Sequence, residues 1–297
     1  MSITLVAVVV ALVLGHVAPT LVAGLRQFHW YAHWLRWLDE RFPDDGFWRG
    51  RYGIALAVLP PVLLVALFQW LLHEPLFGLI GLLFGIAVLV YAWGPRDLDV
   101  DVEAIIDAHE PAARRAAIAR LWPDAETVAA DGPALVEAVF RNALQRWFGP
   151  LFWFLLLGPM GAVLYRLVAL ASAVEFHRAL PADNRIGARR LLTVLEWPIA
   201  QLMTFAMALV GNFDTVFQAW RAAQGNRLQL DTAFLGQAAR ASVRTELAEE
   251  AEDYAEEGMV QAMRELPELR DAMSLVWRIL LVWLAVLAVF VIGGWVG

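Results

Sequence analysis

The chain has 297 residues, of which 60% are apolar or aromatic and 18% are charged, and its mean hydropathy is +0.57. These values exclude an ordinary soluble domain, which is about half apolar and about a quarter charged. The net charge of −7 argues against nucleic acid as a partner, because phosphate backbones are bound by basic surfaces. The lack of cysteine and lysine excludes disulfides, thiolate catalysis and Schiff-base chemistry.

Long uncharged apolar stretches recur along the chain, separated by segments rich in arginine or in acidic residues. A helix needs about 20 apolar residues to cross a bilayer. The stretches therefore predict an all-α integral membrane protein, a polytopic bundle of about six transmembrane helices forming a single domain over residues 1–297. The predicted spans lie near residues 3–25, 52–73, 75–95, 147–165, 197–213 and 276–296.

The fifth stretch, 197–213, is short for a span and contains the polar Gln201. An interfacial or re-entrant segment is the alternative. Arginine-rich loops tend to remain in the cytoplasm, and six crossings would place most of the arginines on that side. The sequence therefore favours a multi-pass protein of the bacterial cytoplasmic (inner) membrane, with soluble helical insertions at 97–146 and 214–275.

A short aromatic segment precedes the second span. His29 and His33 are four residues apart, which is the spacing of a metal-binding pair on one helix face. The segment lacks the glutamate of an H-E-x-x-H site, and no third ligand is evident. Trp30, Trp34 and Trp37 share a similar spacing, which is typical of an amphipathic helix at the headgroup level. We interpret the segment as an interfacial helix and predict no metal site.

Two acidic segments follow apolar stretches. The first, Asp97 to Glu103, has a spacing that matches no calcium loop, so it favours a solvated helix start over a cation site. The second, 246–257, is interpreted as a solvated helix face. The alternative for this acidic helix is a docking surface for a basic protein partner.

Charged residues also border the fourth and fifth apolar stretches. Charges near bilayer depth are costly and normally paired, so Arg166 and Glu196 are predicted to contact each other. The pair would be either a structural contact at the interface or a polar site for an anionic or phosphorylated substrate. Gly158 and Pro159 predict a break in the fourth span, and Gly161 permits close helix approach.

Several segments resemble the core of the CobD/CbiB–AmpE superfamily, which includes the adenosylcobinamide-phosphate synthases of cobalamin assembly. They are Glu137-Ala-Val-Phe-Arg-Asn142, Gly149-Pro-Leu-Phe-Trp153 and Leu157-Gly-Pro-Met-Gly-Ala-Val-Leu-Tyr-Arg166. A later run, Val194-Leu-Glu-Trp-Pro198, is similar to the AmpE branch in particular. The resemblance is strongest over residues 137–220.

The resemblance, with the charge and packing arguments above, indicates a candidate ligand pocket and a set of structural residues; the retained residues serve either a pocket or a shared fold. The pocket residues are Glu137, Asn142, Tyr165, Arg166 and Glu196. The residues of the structural motif are Pro150, Trp153, Gly158 and Gly161. The resemblance assigns no catalytic residue with them.

The chain departs from the synthases at three places. Gln145 stands where they have an aspartate, Ala169 to Ser172 replaces an Asn-Thr-Leu-Asp run, and Gln201 follows Pro198 where they have an arginine. These losses favour the AmpE branch. That branch implies a non-enzymatic membrane regulator or sensor in β-lactamase induction and cell-wall recycling. It would have no cofactor, and its ligand would be a cell-wall-derived or phosphorylated small molecule.

The alternative is an enzyme related to the synthases. Such an enzyme would join an amine to a carboxylate and would use ATP and Mg²⁺. It is favoured by the retained Glu137 and Asn142 and by the retained Tyr165-Arg166 pair.

Overall fold

The computed structural model describes residues 6–11, 28–42, 46–72, 78–94, 97–121, 131–225, 230–256 and 266–293. Over residues 28–293, within these ranges, the helices are α1 (His29–Arg41), α2 (Ile54–Leu71), α3 (Gly78–Ala92), α4 (Leu98–Ile106), α5 (Pro111–Leu121), α6 (Gly132–Ala143), α7 (Gly149–Leu157), α8 (Pro159–Ser172), α9 (Ala182–Val210), α10 (Phe213–Ala222), α11 (Ala233–Glu256) and α12 (Pro267–Ile292). Residues 6–11 are also helical.

Three of the described helices are long and apolar enough to cross a membrane. They are α2, α9 and the segment Pro267–Phe290 of α12, and α3 and α8 are shorter apolar helices. Large apolar side chains on these helices point outward, such as Leu63 at 62% exposed and Leu209 at 72%. Such surfaces are rare on soluble proteins and fit contact with lipid. The chain is an α-helical membrane protein, which confirms the predicted fold class.

The predicted spans fall on these helices with shifted ends. Residues 52–73 correspond to α2, 75–95 to α3 and 276–296 to α12, which begins earlier, at Pro267. Of the predicted first span, 3–25, residues 6–11 are described and helical, and the rest lies outside the described residues. The number of crossings and the single-domain organisation stay predictions.

The stretch 197–213 is the C-terminal part of the much longer helix α9. The part of α9 before Glu196 contains Arg185, Arg189 and Arg190. In the structure Pro198 lies inside the helix. The next helix, α10, begins after Asn212, whose side chain accepts a hydrogen bond from the backbone N–H of Thr215.

By its contacts the chain divides into two compact units, of which the structure describes only the residues given above. The first comprises Met1–Pro95, Gln145–Glu196 and Phe290–Gly297, and the second comprises Arg96–Leu144 and Trp197–Val289. In the first unit, α8 packs against α2, α3 and α7. Buried residues of α8 include Ala162, Tyr165 and Val168. Helix α8 thus lies at the centre of the first unit.

In the second unit, α11 packs against α6 and α10, and α4 packs against α5 and α6. The start of α4 corrects the expectation of a solvated acidic segment. Asp101 is only 2% exposed, and Asp99 accepts a hydrogen bond from the indole N–H of Trp277 at 3.0 Å. These carboxylates face the protein because the apolar Leu98, Val102 and Ile105 of the same short helix are buried.

The segment predicted as one span near 147–165 consists of a π turn (Leu144–Phe148), α7, a break and α8, which continues to Ser172. The break lies at Gly158, whose φ of 73° is a backbone conformation that favours glycine. Gln69 of α2 serves both sides of the break. Its Nε2 donates to the Leu157 carbonyl at 3.1 Å, and its Oε1 accepts from the Met160 N–H at 3.0 Å.

Candidate functional site

A buried polar pair joins α8 to α9 in the first unit. The Tyr165 hydroxyl donates a hydrogen bond to Glu196 Oε1 at 3.2 Å. Tyr165 is 0% exposed and Glu196 only 6% exposed. A buried carboxylate is costly unless it is hydrogen-bonded. The pair therefore marks a place where the apolar helices of this unit retain polar chemistry.

Close packing of α7 fixes the position of the Tyr165 ring. A Cβ atom at Gly149 would lie 2.2 Å from Cε1 and Cζ of Tyr165, so only glycine fits beside the phenol. Pro150 follows in the first turn of α7, where a backbone N–H has no acceptor within the helix, so its absence in proline costs nothing. The Gly149-Pro150 sequence thus starts a helix directly against Tyr165.

Trp153 and Gly161 hold the neighbouring helices together around the pair. The indole N–H of Trp153 donates to the carbonyl of Leu195 at 3.3 Å, one residue before Glu196. A Cβ at Gly161 would lie 2.1 Å from the Trp153 carbonyl oxygen, so α8 approaches the α7 backbone directly. Both residues therefore orient the helices that carry Tyr165 and Glu196.

Arg166 is also buried in the first unit, at 5% exposed. Its Nε donates to the carbonyl oxygen of Ala92 at 2.6 Å. Ala92 is the last residue of α3, and the carbonyl end of a helix favours a cation. This hydrogen bond gives the guanidinium a structural partner. The direct contact of Arg166 with Glu196 stays a prediction.

Glu137 belongs to a different cluster, in the second unit. Its Oε1 pairs with Arg240 Nε at 3.0 Å, and the two side chains are 32% and 42% exposed. Helices α6 and α11 approach closely here, because a Cβ at Gly236 would lie 2.9 Å from Glu137 Cγ. At this exposure the ion pair itself adds little stability. Its accessibility suits it to contact a ligand.

Arg240 lines a cavity of about 450 Å³ in the second unit. Its polar lining comes mainly from one face of α11, with apolar side chains from α6 and α10. The lining includes Val136, Ala219, Gln237, Arg240, Arg244 and Glu268. Two guanidinium groups one helical turn apart suit a carboxylate or phosphate group.

Asn142 has a structural role in the second unit. Its Nδ2 donates to the carbonyl of Leu121 at 2.7 Å and to that of Ala138 at 2.8 Å. The amide therefore ties the end of α5 to α6. Asn142 and Glu137 belong to the same helix, α6.

The predicted pocket residues thus form two groups. Tyr165, Arg166 and Glu196 lie in the first unit, and Glu137 and Asn142 lie in the second. Sequence reasoning missed the Arg240 partner of Glu137, which is far away in the chain and belongs to no motif.

The histidine pair of α1 has a local explanation. The Nδ1 of His33 lies 2.7 Å from the carbonyl oxygen of His29, one turn earlier in the helix. Among the residues that the structure describes, no three histidine, aspartate or glutamate side chains are grouped to hold a metal ion.

The fold and the buried pair define an α-helical membrane protein whose apolar helices enclose polar side chains. Residues 4–232 match the CobD/Cbib protein family, and the chain belongs to this family. It is 32% identical over 267 residues to the "Cobalamin biosynthesis protein CobD" of Stutzerimonas stutzeri strain A1501, covering 84% of each chain. The protein of the same name from Chromobacterium violaceum is 29% identical over 184 residues, covering 58% of this chain and 56% of the relative. No solved structure matches.

These comparisons confirm the superfamily and correct the branch. The prediction of an AmpE-type regulator of β-lactamase induction is wrong, because the relatives are named cobalamin biosynthesis proteins. The prediction of a non-enzymatic protein is wrong for the same reason. The error came from weighting Gln145, Ser172 and Gln201 as lost chemistry, and from a five-residue likeness at Val194–Pro198.

Proposed function

We propose that this chain is an enzyme of cobalamin biosynthesis in the bacterial inner membrane. It would join an amine to a carboxylate with ATP, as an adenosylcobinamide-phosphate synthase does. The observation that carries the proposal is the 32% identity to a CobD protein over 84% of both chains. Similarity over so much of both lengths favours a shared reaction more than a shared membrane segment alone.

Amide formation sets two requirements for the protein. The carboxylate must be held where one of its oxygens can leave with a phosphoryl group of the nucleotide, and the amine must lose protons as it attacks. Arg240 and Arg244 support the first requirement, because guanidinium groups bind carboxylate and phosphate oxygens. Glu137, one third exposed beside Arg240, is accessible enough to accept a proton from a bound amine.

Mg²⁺ would enter with the nucleotide in this proposal. Magnesium in nucleotide sites is commonly held by the phosphates, water and only one or two carboxylates. The acidic side chain Glu268 lines the same cavity as Arg244 and is available for that role. ATP and Mg²⁺ are therefore proposed as co-substrate and ion.

The departures from the synthases bear on the substrate. Gln145 and Gln201 are neutral amides where the synthases have an aspartate and an arginine. Neutral amides still form hydrogen bonds but hold no charge. We therefore propose that this enzyme accepts a substrate with altered charged groups.

The test is ATP-dependent amide formation by the purified protein. We expect the detergent-solubilised chain, with cobyric acid, an amino alcohol and Mg·ATP, to form a product whose mass increases by that of the amine less water. Mass spectrometry of the corrinoid fraction measures it. Reactions without ATP and with heat-treated protein are the controls. Absence of product with a panel of amines, together with no nucleotide binding at millimolar concentration, would contradict the proposal.

Glu196→Gln is expected to lower the turnover number about tenfold, which is about 1.4 kcal/mol in the barrier. Glutamine can still accept a hydrogen bond from Tyr165, but the bond loses its charge-assisted character, which is worth about 1 kcal/mol. The measurement is steady-state kinetics, with kcat and KM determined separately, and thermal unfolding of the same samples. Glu175→Gln is the matched control, since Glu175 is exposed in the same unit. An unchanged kcat in Glu196→Gln would show that the buried pair has no part in the reaction.

A further inference from the structure

Helix α1 packs onto the first unit mainly by one face, and the indole N–H groups of Trp30 and Trp34 also donate hydrogen bonds to the Tyr91 hydroxyl and the Ala57 carbonyl. Tyr31 and Leu35 are 0% exposed and Leu38 is 2% exposed, and they face the turn Val174–Ala179 and helix α2. The Tyr31 hydroxyl is neutral in the physiological range, and burial raises its pKa further above the ordinary value. The helix is thereby fixed on the protein with two other faces outward.

The second face of α1 is aromatic. At 3.6 residues per turn, Trp30, Trp34 and Trp37 form one stripe along the helix. Trp30 is 41% exposed and Trp37 is 51% exposed. The rings of Trp34 and Trp37 stack at 5.2 Å between centroids, which makes one continuous indole surface. This is an unusually large aromatic area to leave in water.

The third face of α1 is polar. It is formed by His29, His33, Arg36 and Glu40, all of them exposed. Around the helix the three faces follow in the order polar, tryptophan, buried, so the tryptophan stripe lies between the other two. The indoles therefore lie between the protein core and a water-facing edge. An in-plane membrane helix has this order of surfaces.

The aromatic surface continues toward the membrane-spanning helix α2. Phe47 is 60% exposed and Tyr52 is 62% exposed, and the Arg51 guanidinium lies over the Tyr52 ring at 4.8 Å. Helix α2 begins two residues after Tyr52 and ends next to Trp70, which is 72% exposed. A helical rise of about 1.5 Å per residue puts Tyr52 and Trp70 about 27 Å apart, close to the thickness of the hydrocarbon layer at about 30 Å.

We propose that α1 lies in the plane of the membrane. Trp30, Trp34 and Trp37 would insert at the boundary between phospholipid headgroups and acyl chains, with the His29–Glu40 polar face in water. Tyr52 fixes that boundary at the start of α2, so α1 and the lipid-facing side of α2 form one surface. Indole rings favour this boundary because they are large, rigid and amphipathic, and the N–H groups of Trp30 and Trp34 are already hydrogen-bonded within the protein. This inference is independent of the proposed reaction.

The lack of cysteine in the chain permits a direct test by single-site spin labelling. Labels are attached to Trp30→Cys, Trp34→Cys and Trp37→Cys, and to the matched polar-face controls His33→Cys, Arg36→Cys and Glu40→Cys. The proteins are reconstituted in phosphatidylcholine vesicles. We expect a severalfold higher ratio of oxygen to nickel-chelate accessibility at the tryptophan positions than at the controls.

Three outcomes would overturn the proposal. Equal accessibility of both sets would place the indoles in water. Spin–spin broadening at position 37 would show that a second copy of the chain covers the stripe. Labels inaccessible to both reagents would show that protein covers it. A conservative variant guards against misfolding of the cysteine variants. Brominated phosphatidylcholine should quench the tryptophan fluorescence of the wild type more than that of Trp37→Phe, because the variant lacks one lipid-facing indole.

Discussion

Replacing Gly149 with alanine is expected to destabilise the protein by about 4 kcal/mol and to abolish most of its activity. The added Cβ would lie 2.2 Å from two ring atoms of Tyr165 and 2.5 Å from its hydroxyl oxygen. The ring has no room to move, because Tyr165 is 0% exposed. Overpacking a core costs about 1–3 kcal/mol, and loss of the buried hydrogen bond to Glu196 costs about 1–3 kcal/mol more.

The measurements are denaturant unfolding in detergent and the rate of amide formation. Gly78→Ala is the matched control, because a Cβ at Gly78 meets nothing within 4 Å. The second variant pair is Gly149→Ala with Tyr165→Ala, which makes room for the new methyl group. We expect the double variant to lose less stability than the sum of the two single variants, because the two changes relieve the same clash, and to recover none of the activity. A Gly149→Ala protein within 0.5 kcal/mol of the wild type, about the scale of a surface change, would show that α7 does not press on Tyr165.

The sequence predicted the helical membrane fold because uncharged apolar stretches of bilayer length are rarely found outside transmembrane helices. It also predicted the break at Gly158, since a Gly-Pro pair cannot continue a helix without strain. The extent of α9 could not be predicted in the same way. Its N-terminal half contains Arg185, Arg189 and Arg190, and local composition alone does not distinguish a polar helical turn from a loop.

The candidate site was predicted residue by residue but not as a set of contacts. The hydrogen bond from Tyr165 to Glu196 was not predicted, and the expected contact of Glu196 with Arg166 stays a prediction. In a helix, successive residues point about 100° apart, so the sequence alone does not show which of two neighbouring residues meets a residue on another helix. The contacts of Gln69 and Arg240 depend on tertiary packing and carry no motif. The functional branch was misjudged because single polar substitutions were weighed above similarity along the chain.

Gln69→Leu is expected to destabilise the protein by about 3 kcal/mol. The α7–α8 break leaves the Leu157 carbonyl and the Met160 N–H without helical partners, and the Gln69 carboxamide binds both, at 3.1 Å and 3.0 Å. Both contacts are part-buried, so the freed backbone groups depend on the protein for their hydrogen bonds. Each buried group left without a partner costs about 1–3 kcal/mol, and the apolar leucine offsets part of the sum.

The two possible environments of Gln69 predict opposite changes in stability. If Gln69 merely faced lipid, leucine would stabilise α2, because a polar amide in hydrocarbon is unfavourable. Loss of stability in Gln69→Leu therefore requires that the carboxamide binds the break. Phe68→Leu is the matched control: Phe68 is 48% exposed on the same turn, so its replacement should change the free energy of unfolding by less than about 1 kcal/mol. Denaturant unfolding in detergent measures both variants. Since α8 carries Tyr165, Gln69→Leu should also lower the rate of amide formation. An unchanged rate in a destabilised protein would show that the break does not affect the Tyr165–Glu196 pair.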